Sequence, residues 1–538
     1  MSTFAEAIGI VIYAGALTAA VAILVRHART AGVLAPVLVA LALRLGCMIA
    51  TQAVSVSHGH GGFFFLDDRG YDAIGRRLAE QWRHGHVVDV TSYQYAGSLQ
   101  FGFKALVGFV YTLVGAHVLA VKLMNVVVGS ISVLLAAMLA RNVVSSAACR
   151  RTAWLVALCP TLVWWSSTML KEAICVCLLL IALLGVTHLP RARGVLAFAL
   201  GLVALAITRP NAAVGAGTAL VLGIGVAAAL RRREVSWRAV CGLTGGAVAL
   251  VLIALLVTTR GNPRVLVSDY LEQYRSATNL YGTGNPLHVP VDVARTLIAP
   301  YPWAFDAATA NWYRALYPGM WVWYILLPTA AVGIWRLRRE VDVLLLVLPV
   351  LVLLVLNAIS IGFAFRQRST IEPLLLILVA AGFSSWRRLA LCGAVGLSLV
   401  DVFAVAQSGS FVVGASIGLG AAALAAAALA LPAADRSGRL AEGSCLERTA
   451  VALQLPGLSG VATVVPQPQP LLLPNVPSGS LRPATRVLPA TARAVAAIRT
   501  ATAPRPLQLP RRAEVPASFN AARSGLRAAW QRFRGIRR

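Results

Sequence analysis

Apolar segments of about 20 residues recur along most of this chain, and they limit its fold more than any other feature. A helix of about 20 apolar residues crosses the roughly 30 Å of hydrocarbon in a bilayer. The chain is 58% hydrophobic and only 13% charged, with a mean hydropathy of +0.75, whereas soluble domains are roughly 25% charged. We therefore predict an all-α, polytopic membrane protein and not a soluble enzyme with an anchor.

The apolar segments predict a bundle of about 13 membrane-spanning helices. The predicted spans are residues 7–25, 31–55, 117–140, 152–168, 172–188, 194–208, 212–230, 238–258, 320–335, 343–362, 370–385, 389–407 and 410–431. They define a membrane domain over residues 1–432. Residues 433–538 are rich in Ala, Pro and Arg without sustained periodicity, which predicts a disordered basic tail. Residues 524–538 could form a basic helix on anionic lipid or simply be solvated.

The positions of the arginines predict the orientation in the membrane. With the N-terminus outside, six loops become cytoplasmic: residues 26–30, 141–151, 190–194, 231–238, 336–340 and 386–388. These loops hold 16 arginines and no lysine, in keeping with the usual excess of positive charge on cytoplasmic loops. The net charge of +28 therefore needs no nucleic-acid partner to explain it. We predict a multi-pass plasma-membrane protein with a cytoplasmic C-terminus.

This orientation leaves two large loops on the outer face, residues 56–116 and 259–318. The apolar stretch at 98–115 is nearly long enough to be a span. Counting it as one would move the arginine-rich loop at 141–151 outside, so we predict a helix lying in the outer interface. A true span is the alternative. The second loop is rich in Tyr, Trp, Pro and Gly, which predicts an ordered cap of short helices.

Two adjacent carboxylates, Asp67 and Asp68, follow three phenylalanines in the first outer loop. Apolar residues then recur at the spacing of an amphipathic helix: Tyr71, Ile74, Leu78 and Trp82. One interpretation is structural, with Asp68 as the N-cap of this helix. Capping needs only one acid, however, and Asp67 beside it adds repulsion. We therefore predict a functional pair that serves as a general base for an incoming hydroxyl or as a shared metal ligand.

Histidines flank the acidic pair without completing a set of metal ligands. They are His58, His60, His84 and His86. Flexible surface histidine is the default interpretation, so the sequence names no cofactor and leaves a divalent metal open. The eight cysteines are scattered, mostly inside apolar spans, where they behave as small hydrophobic residues.

Four cations lie in turns of the predicted outer face: Lys171, Arg209, Arg366 and Arg368. Each alone could snorkel or end a helix. Together they come from three separate turns near the depth of a lipid phosphate, which arginine binds as a fork and lysine as a point charge. We predict that they bind phosphate. Arg44 differs because it lies within a span, where a charge is costly and is expected to pair with an acid or a carbonyl.

The pattern resembles the C-type integral-membrane glycosyltransferases, which take sugar from a polyprenyl-phosphate or polyprenyl-diphosphate donor on the outer leaflet. Their acidic pair in the first large outer loop has its counterpart in FLDDRGYDAIGRRLAE (65–80). Segments at 97–141, 159–184 and 365–382 are similar to the stretches that follow in those enzymes. The resemblance covers roughly residues 30–385. The chain departs from the family in one additional predicted span before the acidic loop and in having no large soluble C-terminal domain.

The resemblance implies a role for each candidate residue. Asp67 or Asp68 would be the catalytic base or would position the acceptor, and the four cations would hold the donor phosphate. It also implies the partners, which are a polyprenyl-phosphate-linked sugar, membrane lipids, and a polysaccharide, lipid or protein acceptor. The implied reaction is sugar transfer on the extracytoplasmic face.

Three other functions stay open from the sequence. A polysaccharide polymerase or ligase would act on lipid-linked units with outer arginines and would need no acidic pair. A transporter or flippase would place charges and broken helices at mid-membrane, a pattern that Arg44 fits. A non-catalytic scaffold would instead depend on the basic tail.

Overall fold

The computed structural model describes residues 3–86, 101–189, 191–231, 289–302, 314, 316–361, 365–383, 385–408 and 411–430. All of them lie within one compact unit that spans Met1–Ser459. These residues are predominantly helical and include no β-strand, which confirms the all-α class. The predicted span at 238–258, most of the loop at 259–318 and the tail at 433–538 lie outside the described residues.

Sixteen α-helices follow one another along the described residues. They are α1 (Thr3–Thr30), α2 (Leu34–Ser57), α3 (Leu66–Arg83), α4 (Phe101–Val114), α5 (Val118–Val143), α6 (Ser146–Leu158), α7 (Pro160–Ser166), α8 (Glu172–Val186), α9 (Ala192–Thr208), α10 (Pro210–Arg231), α11 (Val289–Ile298), α12 (Tyr317–Leu337), α13 (Leu344–Ile361), α14 (Glu372–Gly382), α15 (Trp386–Ser408) and α16 (Phe411–Ala430). Short 3₁₀ turns cover Val341–Val343 and Phe365–Thr370.

Four helices of the described chain are long and apolar enough to cross a membrane. They are Glu6–Thr30 within α1, Leu34–Ser57, Val118–Val143 and Tyr317–Leu337. The last has 21 residues and is therefore about 31 Å long, close to the thickness of the hydrocarbon core. Other apolar helices, such as Glu172–Val186, are shorter. The chain is thus an α-helical protein with several helices suited to a membrane.

The predicted span at 152–168 is wrong in one respect, because two helices occupy it. α6 ends at Leu158 and α7 begins at Pro160. Proline has no N–H to donate and disfavours helical backbone at the residue before it. Cys159 is accordingly extended, with a ψ of 113°. The break leaves the last carbonyl groups of α6 without donors from a continuing helix.

Arg44 of α2 supplies those missing donors. Its guanidinium nitrogens lie 3.3 Å from the carbonyl oxygens of Val156 and Ala157, and the residue is only 1% exposed. In an unbroken helix the residue at position 160 would donate to Val156, but Pro160 cannot. The charge inside α2 pairs with carbonyls, one of the two alternatives expected from the sequence. It therefore gives no specific support to a transport pathway.

The amphipathic helix predicted after the acidic pair is confirmed as α3, and it packs closely on α4. Gly75 permits the approach, since a Cβ there would lie 2.4 Å from Val107. Tyr71 packs edge-on against Phe103, with ring centroids 4.9 Å apart. α4 has 14 residues and is about 21 Å long; the interfacial position predicted for 98–115 stays a prediction.

Candidate functional site

Four segments that are far apart in sequence bring polar side chains together at helix ends. Asp67 lies in the first turn of α3, and Glu172 begins α8. Arg209 is the residue between α9 and α10, where Pro210 opens the second helix. Arg366 lies in the 3₁₀ turn that precedes α14. Backbone groups at helix ends lack partners within the helix. Side chains from several helix ends can therefore converge on one point together with those groups.

Ion pairs link these side chains into one chain of contacts. Arg366 donates from Nη1 to Asp67 Oδ2 at 2.7 Å and from Nε to Glu172 Oε1 at 2.6 Å. Arg209 donates from Nη2 to the same Glu172 oxygen at 2.7 Å and from Nη1 to Thr370 Oγ1 at 2.9 Å. Glu172 is thus the shared anion that holds both arginines, and Arg366 connects it to Asp67.

Exposure increases steadily along this chain of contacts. The side chains of Glu172 and Arg209 are 0% and 6% exposed, and that of Arg366 is 18% exposed. Asp67 is 53% exposed. Asp67 is therefore the carboxylate that an incoming molecule can reach, whereas Glu172 is buried and forms ion pairs with the two arginines.

Two lysines add positive charge beside these ion pairs. Burial and the nearby Arg209 lower the pKa of Lys171 to about 7. Burial also lowers the pKa of Lys104, on α4, and the charge of Asp67 acts against that shift. We call Asp67, Lys104, Lys171, Glu172, Arg209 and Arg366 the Asp67 cluster. Its two arginines balance the charge of its two carboxylates, and the lysines add positive charge when they are protonated.

Asp68 does not belong to this cluster, and it is not the N-cap that the sequence suggested. α3 begins at Leu66, so Asp68 is its third residue. Its carboxylate accepts hydrogen bonds from the backbone N–H groups of Phe64 at 2.8 Å and Phe65 at 3.1 Å. Burial raises its pKa, although those amides act in the opposite direction. Asp68 therefore fixes the loop before α3 and so orients Asp67.

Replacing Asp68 with alanine is expected to destabilise the fold by about 1–3 kcal/mol, because two backbone N–H groups lose their acceptor. Asp68→Asn keeps one acceptor oxygen and should lose less. Thermal unfolding of the purified protein measures both, with Glu80→Gln as an exposed acid on the same helix. An alanine variant as stable as Glu80→Gln would contradict the structural role of Asp68.

Arg368 lies in a separate network, two residues from Arg366. It is 1% exposed, and it donates to Glu372 at 2.7 Å and to the carbonyl oxygens of Leu297 and Ala299 at 2.7 and 2.8 Å. These contacts tie α11 to the start of α14. Because its side chain is buried in this network, we leave Arg368 out of the candidate site.

Two members of the cluster, Glu172 and Lys104, were missed as candidates in the sequence. Glu172 follows Lys171 directly, and an acid at the start of an apolar helix is the signal that could have identified it. Lys104 is the single charged residue of α4. Neither signal is specific, because both residue types also occur at ordinary helix ends and interfaces.

The acids of the cluster face arginines, an arrangement that suits an anion better than a metal ion. Among the described residues, no group of three or more His, Cys, Asp or Glu side chains is placed to hold a metal. Of the flanking histidines, His84 and His86 have ring centroids 6.4 Å apart, and His58 Nδ1 lies 2.8 Å from the carbonyl oxygen of Val54.

No family model matches the chain, and no curated protein matches it. The likeness to C-type glycosyltransferases rests on the short sequence segments quoted above.

Proposed function

We propose that this chain is a membrane glycosyltransferase that moves a sugar from a polyprenyl-phosphate donor to a cell-envelope acceptor. The proposal includes the bundle of about 13 spans with its N-terminus outside, so that the Asp67 cluster lies at the extracytoplasmic face. One observation carries it: the half-exposed carboxylate of Asp67 is held 2.7 Å from Arg366, and Arg366 shares the buried Glu172 with Arg209. Such a site offers a base and an anion-binding surface side by side.

Asp67 has the properties of a general base for an acceptor hydroxyl. Its side chain is 53% exposed, which leaves an oxygen accessible to an incoming molecule. As the acceptor oxygen attacks the anomeric carbon, its proton passes to Asp67. The bond between the anomeric carbon and the phosphate oxygen breaks at the same time.

The cations of the cluster stabilise the group that leaves. Departure of the lipid phosphate concentrates negative charge on its oxygens, and fixed cations favour that state over the intact donor. Arg366 and Arg209 are held in place by Glu172, so little reorganisation is required during the reaction. A guanidinium has five N–H donors, and the two bonds that Arg366 makes from Nε and Nη1 use two of them.

The membrane setting fits a substrate with a long lipid chain. A site at the ends of apolar helices lets the polyprenyl tail remain in the hydrocarbon while the phosphate meets the cations. A polymerase or ligase acting on lipid-linked units would share this phosphate site. The activity of a polymerase or ligase would not depend on Asp67. A substitution at Asp67 therefore distinguishes the two functions.

The test is turnover by the full-length protein in lipid nanodiscs. The probes are a panel of polyprenyl-phosphate sugars supplied with cell-envelope acceptor fractions, and the readout is release of the free lipid phosphate. We expect release with at least one donor, dependent on the acceptor. A folded protein that releases lipid phosphate from no donor in the panel would count against the proposal.

A further inference from the structure

A small internal cavity is lined by both Arg44 of α2 and Glu172 of α8. Helices α5, α6 and α7 and the 3₁₀ turn at Phe365–Thr370 complete its wall, and every residue that lines it is buried. The cavity offers about 10 Å³ to the centre of a water molecule, which is enough for about one water.

Arg44 supplies a hydrogen-bond donor to the wall of this cavity. Its Nη1 donates to the carbonyl oxygens of Ala40 and Ala157, and its Nη2 donates to that of Val156. Its Nε is buried and has no hydrogen-bond partner among the described residues. Gly129 of α5 leaves the space beside this atom open, because a Cβ there would lie 3.1 Å from Nε.

Glu172 supplies a hydrogen-bond acceptor to the same wall. Its Oε1 accepts from both Arg209 and Arg366. Its Oε2 is buried and has no partner in the part of the chain that the structure describes. Leaving a buried carboxylate oxygen without a donor is costly, and so is leaving a buried N–H without an acceptor. The wall therefore contains one unsatisfied donor and one unsatisfied acceptor.

Two serines of the wall can complete the contacts of a ligand. Ser166 and Ser132 already donate their hydroxyl protons to backbone carbonyls of their own helices, but each hydroxyl oxygen can still accept a hydrogen bond. A water molecule would accept from Arg44, donate to Glu172 and donate its other proton to a serine. These contacts add up to about the three hydrogen bonds that are usual for a buried water.

The opposite charges of the wall favour a neutral ligand. An anion attracted by Arg44 would be repelled by Glu172, and a cation attracted by Glu172 would be repelled by Arg44. We propose that the cavity binds one water molecule, which accepts a hydrogen bond from Arg44 Nε and donates one to Glu172 Oε2. Through this water, α2 helps to hold the carboxylate that the two arginines of the Asp67 cluster share. The site is independent of the proposed sugar transfer.

High-resolution cryo-electron microscopy of the full-length protein in lipid nanodiscs tests the site directly. We expect a single density peak about 2.7–3.2 Å from both Arg44 Nε and Glu172 Oε2, with the same height in buffers with and without chloride. A peak that disappears without chloride would be an adventitious ion and would overturn the proposal. So would direct contact between the two side chains, or an empty cavity in a map that resolves other buried waters.

A matched pair of substitutions tests the polarity of the cavity in solution. Val176 lines the cavity and Val186 lies in the apolar core; both belong to α8 and are 3% and 2% exposed. Threonine replaces a methyl group with a hydroxyl of similar size, so each change measures the cost of burying a hydroxyl.

We expect Val186→Thr to lower the midpoint of thermal unfolding by about 2 °C or more. Val176→Thr should lower it clearly less, because its hydroxyl can donate to the second lone pair of the water. An equal or larger loss in Val176→Thr would mean that the cavity is dry and would overturn the proposal.

Discussion

Replacing Asp67 with asparagine is expected to lower sugar transfer by about 10²–10⁴-fold, the usual contribution of a general base. Asparagine has nearly the same shape and can still accept a hydrogen bond from Arg366, but it cannot take the proton of the acceptor. Asp67 is 53% exposed, and an exposed ion pair contributes about 0–1 kcal/mol to stability. The protein should therefore stay folded. Release of lipid phosphate measures the rate.

The control for that change is Glu80→Gln, which removes an exposed acid from the same helix and should leave the rate unchanged. If Asp67→Asn retains the wild-type rate while the protein turns over a lipid-linked donor, Asp67 is not the base. A polymerase or ligase that depends on the arginines alone would then be the better assignment.

Replacing Glu172 with glutamine is expected to produce the largest loss of stability, about 3–5 kcal/mol. Glu172 is fully buried and accepts from both Arg209 and Arg366. Without its charge, the guanidinium of Arg209, which is 6% exposed, becomes a buried cation without a counter-charge. Thermal unfolding of the purified variant should show a clearly lower midpoint than that of Asp67→Asn.

A double variant tests whether the loss of stability in Glu172→Gln comes from the uncompensated positive charge. Adding Arg209→Gln to the Glu172→Gln protein removes one of the uncompensated cations, so the double variant should be more stable than Glu172→Gln alone. Losses that simply add would show that the two residues contribute independently. That outcome would contradict Glu172 as the shared anion of the cluster.

The helices could be predicted from the sequence because apolar runs and their polar boundaries are local features. α5 was predicted at 117–140 and is found at Val118–Val143. The break at Pro160 was missed, although proline carries a specific backbone signal, because the flanking residues are uniformly apolar. The partners of Arg44 could not be predicted, since they depend on which helix packs against α2.

The site was predicted by residue type and corrected by geometry. Asp67 and Asp68 are neighbours in sequence, yet one faces solvent and the other caps backbone amides, a distinction set by the position of Leu66 as the first residue of α3. Arg366 and Arg368 are two positions apart in a 3₁₀ turn with three residues per turn, so their side chains point in different directions. The first residue of α3 and the first residue of the 3₁₀ turn cannot be predicted from the sequence to within one residue.

The affinity of the protein for a polyprenyl phosphate without sugar tests the central claim most directly, because the claim is that the Asp67 cluster holds a lipid phosphate. The comparison is between wild type, Arg366→Gln and Arg77→Gln, the last an exposed arginine of α3. We expect Arg366→Gln to bind about 10–100-fold more weakly, as the loss of a charge-assisted contact implies, and Arg77→Gln to bind like the wild type. Equal binding by a folded Arg366→Gln protein would contradict the account.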